Sequence, residues 1–324
     1  MNDNNFGFIG RLNKDFPSQV MVDMTEVCNL ACIHCTHPAF KESSIYKKRM
    51  LSPDLNKKMI EEVSVHGKNI TKYIRYTSNG EPLVHPKSYE MILDAVKNSG
   101  TKVTLTTNGT LLKEHKMQKL LDTGLHMIDV SIDAFKNETY EKVRVNGNLN
   151  ITRSNIIKLI SMKNKNLSKT KIIVSFVEQN LNSSEINEFK KFWNENGADE
   201  VLIRSLHTNS GSNLTEAQTK NLNINKNRRP CLYPWERIVL NAKGYLAFCP
   251  TDWYGKSELV DYKNSSIKET WNNNFYKNLR NQHISLKFNN KLCMQCPDWA
   301  NTSWPNDPNK SYADLVEKIL YKNL

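Results

Sequence analysis

The sequence has no run of apolar residues approaching the roughly 18 that a membrane span needs. Its N-terminus, MNDNNFGFIGRLNKDF, lacks the apolar core of a secretory signal. A cytoplasmic location with no membrane span is therefore expected. Concentrated basic blocks are missing too. Lys and Arg number 45 against 33 Asp and Glu, a formal charge of +12, but the lysines are scattered among asparagines. Scattered charge makes no footprint for a phosphate backbone, so no nucleic-acid partner is expected. No internal repeat is visible beyond an alternation of strand-like and helix-like segments. With 324 residues, the chain can bury a core without disulfide staples.

What is present is a distinctive grouping of seven cysteines, at 28, 32, 35, 231, 249, 293 and 296. Outside a secretory context, close spacings argue for metal or redox chemistry over disulfides. The triplet Cys28-Asn-Leu-Ala-Cys32-Ile-His-Cys35 has no fourth cysteine nearby, which leaves it one ligand short of a closed zinc site. Three thiolates suit a [4Fe-4S] cluster with one open iron, a position that can bind a small molecule. Cys231, Cys249, Cys293 and Cys296, spaced by 18, 44 and 3 residues, can close a second tetrahedral set. The alternatives are a zinc knuckle at the triplet with a nearby His, and a zinc ribbon at the late four.

Strands are expected at 20–25, 72–77, 102–107, 126–132, 171–177 and 200–206, from alternation or short apolar runs. Helices are expected near 53–66, 87–99, 111–123, 149–163 and 183–196. Strands alternating with helices at this spacing imply right-handed βαβ units and a parallel sheet. Six units make a partial (β/α)6 TIM-like barrel, whose active site lies at the C-terminal strand ends. The cysteine triplet, Ser78-Asn79-Gly80-Glu81-Pro82, Thr107-Asn108-Gly109 and Ser131-Ile-Asp133 all fall at such ends. Residues 1–207 are thus read as the barrel, and 208–228, rich in Asn, Ser, Thr and Lys, as a linker. A small α+β cluster domain at 229–310 opens with a hairpin over 235–249 and continues with helices near 265–272 and 274–282. A tail at 311–324 places Tyr312, Leu315, Val316, Ile319 and Leu320 on one helical face, as a packing helix does.

The segment Glu26-Val-Cys28-Asn-Leu-Ala-Cys32-Ile-His-Cys35 resembles the signature loop of the radical S-adenosylmethionine (SAM) enzymes. That resemblance implies that the open iron chelates the amino and carboxylate groups of SAM. One electron then cleaves SAM to a 5′-deoxyadenosyl radical, which abstracts a substrate hydrogen. His34 stands where the family has an aromatic ring near the adenine. Asn79-Gly80-Glu81 resembles the family's "GGE" motif, with Asn79 replacing the first Gly; Glu81 would accept from the SAM ammonium. The resemblance further implies a SAM or substrate contact at Asn108, a ribose contact at Ser131 and a carboxylate partner at Arg144. Arg153 is a rival to Arg144. Asp133 and Arg204 reach the barrel mouth by register, where a structural ion pair is an equal reading.

The late cysteines, with Cys231-Leu-Tyr-Pro-Trp235, Gly244, Cys249-Pro-Thr-Asp252 and Trp271, resemble the SPASM/twitch auxiliary-cluster domain. Four cysteines ligate one [4Fe-4S] cluster fully, and their spacing is most similar to that of the radical 2-deoxy-scyllo-inosamine dehydrogenases. This implies an oxidoreductase using SAM and two [4Fe-4S] clusters, one binding SAM and one auxiliary. The substrate would be a small polar carbinol, such as a sugar or cyclitol. Hydrogen abstraction would be followed by electron transfer to the auxiliary cluster. A flavodoxin or ferredoxin would supply the reducing electron. A base for the hydroxyl proton is expected, with Arg204, Asp252 and Tyr254 as candidates by position. Peptide modification is an alternative, although only 27 residues precede Cys28, too few for the leader-binding extension of many such relatives. So is sugar or aminoglycoside epimerisation, although that reaction commonly needs a free cysteine.

Overall fold

The structure is a computed structural model describing residues 6–77, 79–210, 228–308 and 310–321. Six strands, β1 (Gln19–Val22), β2 (Tyr73–Tyr76), β3 (Lys102–Thr107), β4 (Met127–Ser131), β5 (Lys171–Glu178) and β6 (Glu200–Ser205), pair in parallel in chain order. Helices intervene, at Pro53–His66, Ser88–Asn98, Glu114–Asp122, Leu149–Lys165 and Ile186–Glu195. This is the partial barrel that the alternation implies.

Strand periodicity sorts the side chains. Val20, Val22, Ile74, Tyr76, Val103, Leu105, Ile128, Val130, Ile172 and Val174 face outward and are buried beneath the helices. The alternate residues face the lumen, which is apolar near the N-terminal strand ends and polar above. Tyr73, Met127, Ile173 and Leu202 form its floor. Arg75, Asp129, Ser175 and Arg204 stand above them on the same strands.

The C-terminal region does not stand apart from the barrel. Strand β7 (Arg237–Leu240) pairs in parallel with the free edge of β1, from Gln19↔Arg237 to Val22↔Leu240. Strands β8 (Tyr245–Ala247) and β9 (Glu258–Asp261) continue the same sheet antiparallel. The expected hairpin therefore exists but covers the sheet's open edge, which would otherwise expose unpaired backbone. Its first strand starts two residues late, because Tyr233–Glu236 forms a helical turn with Pro234 in its first positions, where a missing N–H costs nothing. Of the expected linker, residues 211–227 lie outside the described residues, as do Ser78 and residues 322–324 of the tail.

The tail helix Tyr312–Tyr321 closes the floor of the lumen. Val316 is fully buried against Tyr73, Met127, Ile173 and Leu202. The Tyr321 hydroxyl donates to the Lys72 carbonyl at 2.7 Å, and Arg11 pairs with Asp314 at 2.9 Å. Val316→Ala removes two methyl groups from a packed site and should cost about 2 kcal/mol. Urea unfolding should show a lower midpoint at unchanged slope.

Candidate active site

The loop Cys28–Cys35 leaves β1 with no helix or strand of its own, so its polar backbone groups need partners elsewhere. The barrel rim supplies them. Glu81 N–H donates to the Val27 carbonyl at 2.9 Å. Ala31 N–H donates to Val145 at 3.0 Å, and Ile33 N–H to Val143 at 3.1 Å. Asn29 donates to the Thr110 hydroxyl at 2.8 Å and accepts from the Asn108 side chain at 3.0 Å. Gly80 makes the closest approach: a Cβ there would lie 2.3 Å from the Thr25 carbonyl oxygen and 2.6 Å from that of Val27.

Burial pushes the thiols of this loop up, Cys28 to about 11 and Cys35 to about 12, and the neighbouring sulfurs add to the rise. Cys32 is raised for the same first reason, with Arg144 opposing. Such thiols stay protonated unless a cation pays for the charge. Iron would do so.

The residues expected to hold SAM surround the loop, and several have structural partners that the sequence did not reveal. Glu81 accepts from the Thr107 hydroxyl at 2.7 Å and from the backbone N–H of Asn108 and Leu83 at 2.8 and 3.1 Å. It ties the end of β2 to the end of β3, and burial raises its pKa. Arg144 is buried and donates through Nε and Nη2 to Asp133, at 2.8 and 2.5 Å. Asp133 also accepts from Val177 N–H at 2.7 Å. Asp133 and Arg204 are each in a structural ion pair, but not with each other: Asp133 pairs with Arg144, and Arg204 with Asp129. Arg153 lies over Phe135 and Phe192 and donates to the Phe135 carbonyl at 2.6 Å, a packing role away from the loop. His34 sits 3.5 Å from Asp133 with Gln179 at 3.2 Å, and burial holds its pKa down to about 4, so the ring is neutral. Ser131 pairs with the Ser175 hydroxyl at 3.3 Å.

Cys231, Cys249, Cys293 and Cys296 line one small cavity with Tyr233, Phe248, His283 and Trp299. Burial raises all four thiols. Zinc holds sulfur at about 2.3 Å, which brings its thiolates within about 4 Å of each other. Four thiols around a shared hollow suit the larger iron–sulfur group better.

Between the two cysteine sets, at the mouth of the lumen, lies a cavity of about 340 Å³. His34, Cys35 and Asn79 line one side, Tyr233, Pro250 and Thr251 another, and Arg75, Arg204, Arg237, His207 and Tyr312 complete it. Arg204 was expected at the mouth, whereas Arg75, Arg237, His207 and Tyr312 were missed as site residues. Alternation along β2 and β4 does place Arg75 and Asp129 on the lumen face, but nothing local signals that Arg237 or Tyr312 would join them. The base candidates fare differently. Arg204 is a paired guanidinium and accepts no proton. Asp252 and Tyr254 line a separate cavity beside Lys47, Arg49 and Glu258, and Asp252 caps the N–H groups of Tyr254 and Ser257.

A partial parallel barrel with thiol sets at its mouth and beside it defines an iron–sulfur enzyme. The chain belongs to the radical SAM superfamily, whose profile matches residues 22–189, and an iron–sulfur cluster-binding domain, SPASM, matches residues 231–297. SAM, its [4Fe-4S] cluster and an auxiliary [4Fe-4S] cluster are its cofactors. The chain is 30% identical over 182 residues to a probable GTP 3′,8-cyclase of Methanocaldococcus jannaschii, a match covering 55% of each protein. It thus spans about half the length of that curated relative. In structure it is similar to BtrN in complex with AdoMet and 2-DOIA, with a TM-score of 0.57 at 16% identity, covering 82% of this chain and 86% of the other. It is similar as well to SuiB of Streptococcus suis bound to the precursor peptide SuiA, with a TM-score of 0.61 at 14% identity, covering 87% and 70%. These likenesses show the shared fold. Among the described residues, no helix is long and apolar enough to cross a membrane.

Gly80→Ala should push the cluster loop off the rim while leaving the sheet intact. The expected result is SAM binding weakened by roughly tenfold or more, with an unchanged far-ultraviolet circular dichroism spectrum.

Proposed function

We propose that this chain is a radical SAM oxidoreductase that converts a carbinol of a small polar substrate, such as a sugar or cyclitol, to a carbonyl. Cys28, Cys32 and Cys35 would hold the SAM-binding cluster, and Cys231, Cys249, Cys293 and Cys296 the auxiliary one. When bound, SAM and the clusters supply a radical that takes one hydrogen atom from the carbinol carbon and an acceptor for the electron that follows. The protein supplies placement and dryness. Gly80 would let backbone carbonyls approach the methionine end of SAM. Asn79, Asn108 and Ser131 would offer hydrogen bonds around it, with Glu81 behind the ammonium. Arg144 would lie on the carboxylate side and His34 beside the adenine. His207 lines the cavity and would be the acceptor for the hydroxyl proton; burial lowers its pKa and Asp298 works against that lowering.

One observation carries this reading: all four late thiols face one hollow, next to the cavity that Cys35 lines. A cluster with four thiolates has no open iron for substrate and is suited to take an electron. All seven cysteines fall into the two sets, which disfavours an epimerase needing a free thiol. A cavity of about 340 Å³ is of small-molecule size. A flavodoxin or ferredoxin is the proposed electron donor.

Anaerobic reconstitution should give about eight irons per chain, falling to about four when Cys28, Cys32 and Cys35 are all changed to Ala. Cys293→Ala should keep reductive SAM cleavage but yield no carbonyl product. Full turnover by that variant would overturn the electron-accepting role.

A further inference from the structure

The cavity between the two cysteine sets is lined by three arginines, Arg75, Arg204 and Arg237, and among its described lining residues there is no Asp or Glu. The carboxylates that pair with them lie behind the wall, fully buried. Asp129 is shared: Arg204 pairs with it, Arg75 reaches it at 3.8 Å, and the Tyr312 hydroxyl donates to it at 2.6 Å. Glu236 is shared between Arg237 and Arg11. Arg11 is also paired with Asp314 and Glu317 behind the wall, so the guanidiniums alone face the cavity while their partner carboxylates lie behind it.

The arginines are also held rigid. The Arg75 and Arg204 guanidiniums both lie against the Tyr312 ring, 4.3 and 4.1 Å from its centre. Arg237 lies 4.2 Å from the centre of the Tyr233 ring. Arg75 is fixed further by two donations to the Thr106 hydroxyl, at 3.1 and 3.0 Å. The Nε and Nη2 of Arg237 are taken by Glu236 and those of Arg75 by Thr106, but the Nε of Arg204 has no hydrogen-bond partner among the described residues, and a fixed guanidinium with an unfilled N–H suits a planar or tetrahedral oxyanion. An anion in the cavity would meet this guanidinium face directly, whereas a neutral sugar would meet it through hydrogen bonds alone.

We propose that the substrate carries an anionic group, a carboxylate or a phosphate, seated against Arg204 with Arg75 and Arg237. This rests on the reading of the cavity as the substrate chamber of a radical SAM enzyme. The anion would lie toward the lumen floor, since Arg75 lies within β2, two residues or roughly 7 Å before Thr77 at the rim. The reacting carbon would then point up toward the cluster loop. Tyr312, brought in by the tail helix, is a positioning residue that fixes two of the three guanidiniums.

The test is calorimetric titration of the reconstituted, SAM-loaded full chain with inorganic phosphate and, separately, with acetate. One anion per chain should bind at millimolar concentration. Tighter phosphate points to a phosphate ester, and tighter acetate to a carboxylate. Arg204→Gln should weaken binding by roughly tenfold, the worth of one charge-assisted hydrogen bond. Arg237→Gln leaves Glu236 paired with Arg11 and serves should Arg204→Gln fail to fold. Phosphate and acetate that bind both folded variants as they bind wild type, or that fail to bind SAM-loaded wild type, would overturn the proposal. So would SAM and the anion displacing each other, since the arginines would then hold the SAM carboxylate. Wild type that takes up its iron but neither binds nor cleaves SAM would instead overturn the underlying reading.

Discussion

Everything at this site depends on holding an irregular loop still. The loop Cys28–Cys35 must present three sulfurs at fixed separations without a helix or strand to space them. Its rigidity is borrowed from the barrel rim: from the segment after β2 through Glu81 N–H, from Asn108 and Thr110 after β3, and from Val143 and Val145 after β4. Glu81 binds two of these rims together through Thr107 and Asn108. The carboxylate is therefore part of the loop's support before any ligand arrives. A glycine is required at position 80 because two carbonyl oxygens of the loop stem occupy the space of a Cβ.

Charge at the mouth follows from the same crowding. Burial raises the thiols and would make an isolated arginine or aspartate costly. The structure meets this with close pairs, Asp133 with Arg144 and Asp129 with Arg204 and Arg75, each placed by neighbouring strands or the loop that follows. Arg144 also faces Cys32 and lowers the cost of its thiolate. One guanidinium thus serves both the strand-end carboxylate and the cluster loop, and its position is set whether or not it also meets SAM.

The barrel was legible because each βα unit is locally encoded. Period-two and period-3.6 patterns depend only on near neighbours, and strands β3 and β5 fall within a residue of where the patterns place them. The cysteine sets were legible because metal ligation demands particular atoms at close spacing. Pairings were not. Nothing in Arg237–Leu240 states that its partner is Gln19–Val22, over two hundred residues away, because an apolar strand fits any open edge of suitable twist. The ion pairs failed in the same way: Asp133 and Arg204 each have a partner, but strand register alone cannot choose between two acids and two arginines converging on one lumen. The strand expected over 20–25 ends at Val22, where Asp23 N–H makes the last ladder bond, to the Leu240 carbonyl, a contact that exists only once β7 is in place.

That unexpected pairing explains how two cysteine sets far apart in sequence come to flank one cavity. β7 is laid in register on β1, the strand that leads directly into the Cys28 loop. Residues just before β7 carry Cys231 and Tyr233, and residues just after β8 carry Cys249 and Thr251. The sheet therefore places Cys231 and Cys249 beside the Cys28 loop through backbone hydrogen bonds between adjacent strands, while Cys293 and Cys296 come from the helix Lys291–Gln295 and the residue after it. The tail helix completes the enclosure from below, burying Val316 in the floor and raising Tyr312 into the arginine layer. A cavity bounded in this way by one continuous sheet keeps its walls at fixed distances. That suits a reaction in which a hydrogen atom leaves on one side and an electron on the other, because neither wall can drift without breaking the ladder that holds both.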